Sequence, residues 1–144
     1  VRALLADTGF PGMQVLQFAF AEHDSLYLPH RHQPNAIVYT GTHDNDTTRG
    51  WFDAAADDER QRALDYLGAR PETVVRAMIR AAYTSVADRA VVPAQDVLEL
   101  GSESRMNVPG SAEGHWGWRL RPGALDAGSA ARLRRLAELS GRLG

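Results

Sequence analysis

The sequence predicts an α/β fold in which parallel strands are joined by helical crossovers, and three observations carry that expectation. Residues 13–20 read as a strand that is apolar on both faces, as strands of a parallel sheet covered by helices are, and residues 36–40 read as a second apolar strand. Polar residues gather directly after the second of them, in Gly41-Thr42-His43-Asp44-Asn45-Asp46, and the carboxyl end of a strand is where α/β architecture places chemistry. A helix opened by Pro71 carries Val74, Val75, Met78, Ile79, Ala82, Tyr83 and Val86 at helical spacing, an apolar stripe wide enough to cover a sheet.

The remaining elements follow in order. A helix end over residues 1–7 stops at Gly9, suited to a left-handed cap, and Pro11-Gly12 prevents continuation. The polar connection carrying His23, Asp24, His30, His32 and Asn35 is long enough for a crossover but holds little helical pattern. Beyond Trp51-Phe52, a helix begins near Asp57, places Ala63, Leu64 and Leu67 on one face and ends at Gly68. Residues 90–93 form a third short strand and residues 95–100 a short helix. Residues 101–114 form a loop with a Pro109-Gly110 turn, and residues 129–143 a last helix with Leu133, Leu136, Ala137 and Leu139 inward. No internal repeat or low-complexity linker is present. Three strands cannot close into a barrel, and a parallel sheet left open exposes its edges. With Val1 standing inside a helical pattern, the chain is expected to be a piece of something longer.

Composition narrows the function classes. The 144 residues, 44% hydrophobic and with a net charge of −2, suit one domain-sized unit and offer no basic stripe for a phosphate backbone, so nucleic acid is not an expected partner. The absence of cysteine removes disulfides, thiolate metal sites and a cysteine nucleophile, and it fits a reducing compartment. The longest apolar run, residues 15–21, is broken by Gln17 and too short to span a bilayer, so no membrane association is expected.

Several side-chain groups are candidate sites. His43-Asp44-Asn45-Asp46 reads either as a turn, since Asn and Asp favour strand ends, or as the polar tip of an active strand. A calcium loop starting at Asp44 fails on spacing, because Arg49 stands where a glycine and Ala55 where a bidentate glutamate are needed. His30-Arg31-His32, joined with His43 and Asp44, is the raw material of a metal hydrolase, but Pro29 and Pro34 fit a surface loop better. His115, Trp116 and Trp118 offer either stacking surfaces for a sugar or plain core. Asp96 and Glu103, as isolated acids, read as caps or solvated groups.

Taken together, residues 11–20, Tyr27-Leu28-Pro29-His30, the string YTGTHDNDT over residues 39–47, Gly50-Trp51, Gln95-Asp96-Val97-Leu98, the string ESRMN over residues 103–107 with Pro109-Gly110, and residues 114–120 resemble one family. It is similar to the carboxyl-terminal part of the amylomaltases, the 4-α-glucanotransferases or disproportionating enzymes of glycoside hydrolase family 77. The resemblance implies a (β/α)8 barrel of which residues 1–144 supply about the last three β/α units, with no separate second domain. A complete barrel needs about 250 residues. It also implies a cytoplasmic enzyme without cofactor or metal. The reaction implied is retaining transfer of α-1,4-glucan segments from a maltodextrin donor to an acceptor, in which an Asp nucleophile and a Glu acid/base are assisted by a third carboxylate.

Carried onto this chain, the third carboxylate is Asp44, with His43 hydrogen-bonding the same donor sugar. Asn107 falls near the glucan groove, Phe18 and Glu22 in the acceptor region, and Trp116 is a substrate-binding candidate. Departures occur at Glu22, where the family often has Asp, and at His115-Trp116, where it has Asn-Trp. The nucleophile and acid/base lie upstream of these residues in the family, on the missing amino-terminal part of the barrel, so neither Asp46 nor Glu103 is assigned to either role. The alternative expectation is a non-catalytic glucan-binding remnant.

Overall fold

A computed structural model describes residue 5 and residues 7–143. The expected helix over residues 1–7 lies largely outside them. Its end is described: the Gly9 amide donates to Leu5 O at 3.0 Å and Gly9 takes φ 68°, the left-handed cap that the sequence implies.

Three strands form one parallel sheet in the order β1 (Gly12–Val15), β2 (Ala36–Tyr39) and β3 (Arg89–Val91). Met13, Ile37 and Arg89 stand side by side in the register, as do Val15, Tyr39 and Val91. All carboxyl ends therefore finish level on one side. Strand β1 is shorter than residues 13–20 suggest. After Val15 the chain turns into a 3-10 helix over Leu16–Phe18, burying Leu16 and Gln17, and Gln17 Nε2 donates to Asp46 O at 2.8 Å. A pattern of apolar residues does not distinguish an extended strand from a strand that curls to deliver one buried amide.

Between β2 and β3 run helices α1 (Thr48–Ala54), α2 (Asp57–Leu67) and α3 (Val74–Thr84). Helix α1 has no counterpart in the sequence reading, because its seven residues are too few to display a period. Its start is nonetheless well specified, as Thr47 Oγ1 accepts from the Gly50 amide at 3.0 Å. Helix α2 carries Asp57, Asp58 and Glu59 in its first turn, favourable against the helix dipole, and stops at left-handed Gly68 (φ 58°). A 3-10 turn over Pro71–Thr73 leads into α3, whose Val74, Val75, Met78, Ile79 and Ala82 are buried against Ala36, Val38 and Phe20. Val86, counted on that stripe from sequence, lies beyond the helix end and is 60% exposed. Ser85 ends the period one turn early.

After β3 come α4 (Ala94–Val97), a 3-10 turn over Ser102–Ser104 and α5 (Ala127–Leu139), capped by Asp126 on the Ser129 amide at 2.7 Å. Leu133 and Leu136 of α5 pack on the core, but Leu139 is 67% exposed, against the inward direction its spacing suggests. Arg142 anchors the segment after α5: Nε donates to Tyr83 O at 2.6 Å and Nη2 to Ser85 O and Ala87 O at 2.7 and 2.8 Å. One guanidinium thus satisfies carbonyls that the carboxyl end of α3 leaves unpaired.

The helices cover one face of the sheet, burying Ala36 and Val38 of β2. On the other face Val15 is buried, whereas Met13 and Val91 remain 60% and 44% exposed. Among the described residues no strand pairs with the outer edge of β1 or β3, and no helix is long and apolar enough to cross a membrane.

His32, one of the metal candidates, has a structural role. Its buried ring lies 2.7 Å from Ser85 Oγ through Nδ1 and 2.9 Å from Tyr27 O through Nε2, tying the β1–β2 connection to the end of α3. The neutral tautomer with hydrogen on Nε2 satisfies both contacts. Burial pushes the imidazole below its ordinary value of 6.5, and the charge of His30 acts in the same direction. The folded chain therefore binds this proton less readily than the unfolded chain. Its contribution to stability is complete above the unfolded value and declines as pH falls from there toward the folded value. Urea denaturation at pH 8 and pH 5.5 should show lower stability at the acid pH, and His32→Gln should flatten that difference.

Candidate active site at the carboxyl ends of the strands

The segment following β2 is built as a braced loop. Thr40 is fully buried, and Gly41 passes so close to the Gln17 amide that a Cβ would collide with it. Asn45 makes the turn: its Oδ1 accepts from the Thr42 amide at 3.0 Å and from Thr42 Oγ1 at 2.8 Å. This is the turn role that Asn favours at strand ends. Asp46 also braces, accepting from the Thr47 amide at 2.7 Å and from Ser102 Oγ at 2.8 Å. His43 and Asp44 are what the loop presents, and each side chain is about half exposed, 56% and 52%.

Asp44 is held from the segment that follows β3. Asn107 Nδ2 donates to Asp44 Oδ1 at 2.6 Å, and His43 Nε2 lies 3.3 Å from the same oxygen. Arg105 links the two loops, with Nη2 donating to Asp44 O at 2.8 Å and Nε to Asn107 O at 2.7 Å, while Nη1 approaches Asp46 Oδ2 at 3.8 Å. Oδ2 of Asp44 is left without a protein donor among the described residues. It is an acceptor on a half-exposed carboxylate whose other oxygen is held by Asn107.

Trp116 completes this group. Its ring centroid lies 5.1 Å from that of His43, it is 52% exposed, and its amide donates to Met106 O at 2.7 Å. Its φ of 57° is left-handed, a conformation that a bulky residue adopts only where its surroundings impose it. His115 supplies part of that constraint: its Nδ1 accepts from the Val108 amide at 3.1 Å, and its Nε2 lies 2.9 Å from Ser111 O.

The structure thus brings Asp44, His43, Asn107 and Trp116 together. Phe18 follows β1 at the same end of the sheet, 46% exposed and edge-on to Tyr27 at 5.5 Å, and Glu22 is exposed in the next loop. No hydrogen bond, ion pair or ring contact among the described residues joins either to the Asp44 group. His30 faces the Tyr66 hydroxyl at 2.9 Å, whereas the His32 ring pairs with Ser85 and Tyr27 and His43 with Asp44. Among the described residues no set of three His, Asp or Glu side chains is placed to hold a metal ion. Glu103 turns back on the Gly101 amide at 3.1 Å.

Three residues that shape the site escape sequence reading. Arg105 was visible only as part of a string, Gln17 as a polar interruption of a strand, and Asp96 as an isolated acid. None carries a local signal, because each acts on a partner 29 or more positions away.

The cleft beside His43, between Asp46, Gln95, Arg105 and Met106, holds about 130 Å3. Ligand pockets run to roughly 300–1,000 Å3, and this cleft is smaller.

The sequence pattern of the 4-alpha-glucanotransferase family matches residues 1–126. A 4-alpha-glucanotransferase of Synechocystis is 47% identical over 99% of this chain and 29% of its own length. A chloroplastic/amyloplastic 4-alpha-glucanotransferase of Solanum tuberosum is 48% identical over 92% of this chain and 24% of its own. Among solved structures, an amylomaltase from Streptococcus agalactiae in complex with acarbose superposes with a TM-score of 0.95 at 34% identity, over 99% of this chain and 30% of its own. The chain spans less than a third of the length of these relatives.

Gly50 tests how tightly the loop is held. A Cβ there would collide with Ser102 Oγ and the Asp46 carboxylate. Gly50→Ala should lower stability by about 1–3 kcal/mol. In a double-mutant cycle of denaturation midpoints, Ser102→Ala should recover part of that loss.

Proposed function

The chain belongs to the 4-alpha-glucanotransferase family, and from that premise we propose that it supplies the last three β/α units of a (β/α)8 barrel that transfers α-1,4-glucan segments between maltodextrins. The observation that carries the reading is Asp44, at the carboxyl end of the central strand, with Oδ1 held by Asn107 and approached by His43, whose ring lies against Trp116, and with Oδ2 free of any donor among the described residues. The open edges of β1 and β3 and the uncovered face bearing Met13 and Val91 support an extension of the sheet on both sides, as a barrel requires.

In this reading the amino-terminal part of the barrel provides an Asp that attacks the anomeric carbon and a Glu that protonates the leaving glycosidic oxygen. A hydroxyl of a second glucan then displaces the Asp from the anomeric carbon, giving its proton to the same Glu, now a carboxylate, with net retention. The residues present here bind and orient. Asp44 Oδ2 accepts hydrogen bonds from hydroxyls of the donor sugar, and it holds that ring toward the flattened, positively charged transition state more strongly than in its relaxed chair. Asn107 and His43 fix the carboxylate so that no reorganisation is needed at the moment of reaction. His43 has its other face on Trp116, whose indole offers a stacking surface to a sugar. Phe18 and Glu22, after β1, lie toward the acceptor. The cysteine-free sequence suits a reducing compartment, here the cytoplasm.

Two measurements test this. Residues 1–144 alone should release no glucose from maltotriose above a heat-killed control. Exchanged for the matching segment of the Synechocystis relative, they should support disproportionation, and Asp44→Asn in that chimera should lower kcat/KM by about 100-fold or more. A folded chimera that is inactive, beside isolated residues 1–144 that bind maltoheptaose saturably and lose binding on Trp116→Ala, would favour a glucan-binding remnant instead.

A further inference from the structure

Asp96 is an unusual residue to find in a core. It is 1% exposed, and no cation pairs with it among the described residues. Its Oδ1 accepts from the Thr48 amide at 2.8 Å, and its Oδ2 accepts from Thr40 Oγ1 at 2.6 Å and Thr48 Oγ1 at 2.7 Å. Burial pushes its carboxyl up, the neighbouring Asp46 charge acts in the same direction, and the donors pull against both. A carboxylate taken out of water without a cation is costly to keep, and an apolar side chain of similar volume would serve stability at least as well.

Its partners indicate what is obtained in return. Thr40 ends the run of β2 and Thr48 begins α1, so the two are the ends of the loop over residues 41–47, with Asp44 at its centre. A single carboxylate closes that loop from beneath. The adjacent residue of α4, Gln95, donates through Nε2 to Ser104 O at 3.2 Å. The turn so held places Ser102 on Asp46 and leads into Arg105 and Asn107, which grip Asp44 from the other side. One turn of α4 therefore secures both loops that meet at Asp44.

We infer that Asp96 is a positioning residue for Asp44: a buried staple that sets the 41–47 loop against the 102–107 segment without touching substrate. The geometry stands by itself, while its use in turnover rests on the glucanotransferase reading. The test is Asp96→Asn, in the natural polypeptide carrying these residues. Asn keeps the volume and an acceptor for the Thr48 amide but turns the other acceptor into a donor. Amide hydrogen exchange over residues 42–46 should quicken by about tenfold or more while β2 and α3 keep their protection. With maltotriose, kcat should fall by about tenfold or more with KM changed less than about threefold. Thr40→Val, a milder change that removes one hydroxyl, should move both readouts the same way by less. Unchanged exchange over 42–46 in both variants, or an equal loss of protection across β2 and α3, overturns the proposal. If the parent protein lacks turnover while residues 42–46 still respond, the glucanotransferase reading fails and the staple stands; turnover with no such response means the reverse.

Discussion

The level register of three parallel strands is the constraint on which the rest of this structure depends. Because Val15, Tyr39 and Val91 stand side by side, the chain leaves all three strands at the same height and on the same side. The segments that follow are then within hydrogen-bond reach of one another although they are far apart in sequence. Gln17 comes from the first, the loop bearing His43 and Asp44 from the second, and Asp96, Ser102, Arg105 and Asn107 from the third. A one-residue slip of β2 would exchange its faces, setting Ile37 and Tyr39 against α3 and removing Thr40 from Asp96.

Within that frame the division of labour is one of exposure. The residues that fix the loop, Gln17, Thr40, Thr48, Gln95 and Asp96, are buried, and every buried side-chain polar atom of the described residues has a hydrogen-bond partner. The residues that the loop displays, His43 and Asp44, and the Trp116 ring that meets His43 are about half exposed. Polar groups satisfied in a dry interior are stiff, since losing any one bond strands its partner. That stiffness suits the role proposed for Asp44, which is to hold an oxygen at a fixed place.

The parts legible in the sequence were those governed by local rules. The stripe of α3, the glycine caps at Gly9 and Gly68, the polar tip of β2 and the family strings all follow from neighbours in the chain. The curl of residues 16–18 was hidden because burial of Gln17 is decided by a tertiary partner, Asp46, and α1 was hidden because seven residues show no period. The outward turns of Val86 and Leu139 were hidden for a related reason: periodicity continues in the letters after the helix has ended or its neighbour has stopped. Asp44, His43, Asn107 and Trp116 were found through resemblance and stand together in space. Arg105 and Asp96 could be read only once the loops they join were seen side by side.

The half-covered sheet has a consequence of a different kind. Strands β1 and β3 each turn a row of backbone donors and acceptors outward, beside the exposed apolar side chains of Met13 and Val91. A parallel edge of this sort accepts another strand without disturbing those already paired, so the unit can be extended from both sides by accretion. The same edges do not discriminate among the strands offered to them. Where such edges stay uncovered they are a template for further copies of the same strands, so self-association through the sheet competes with folding.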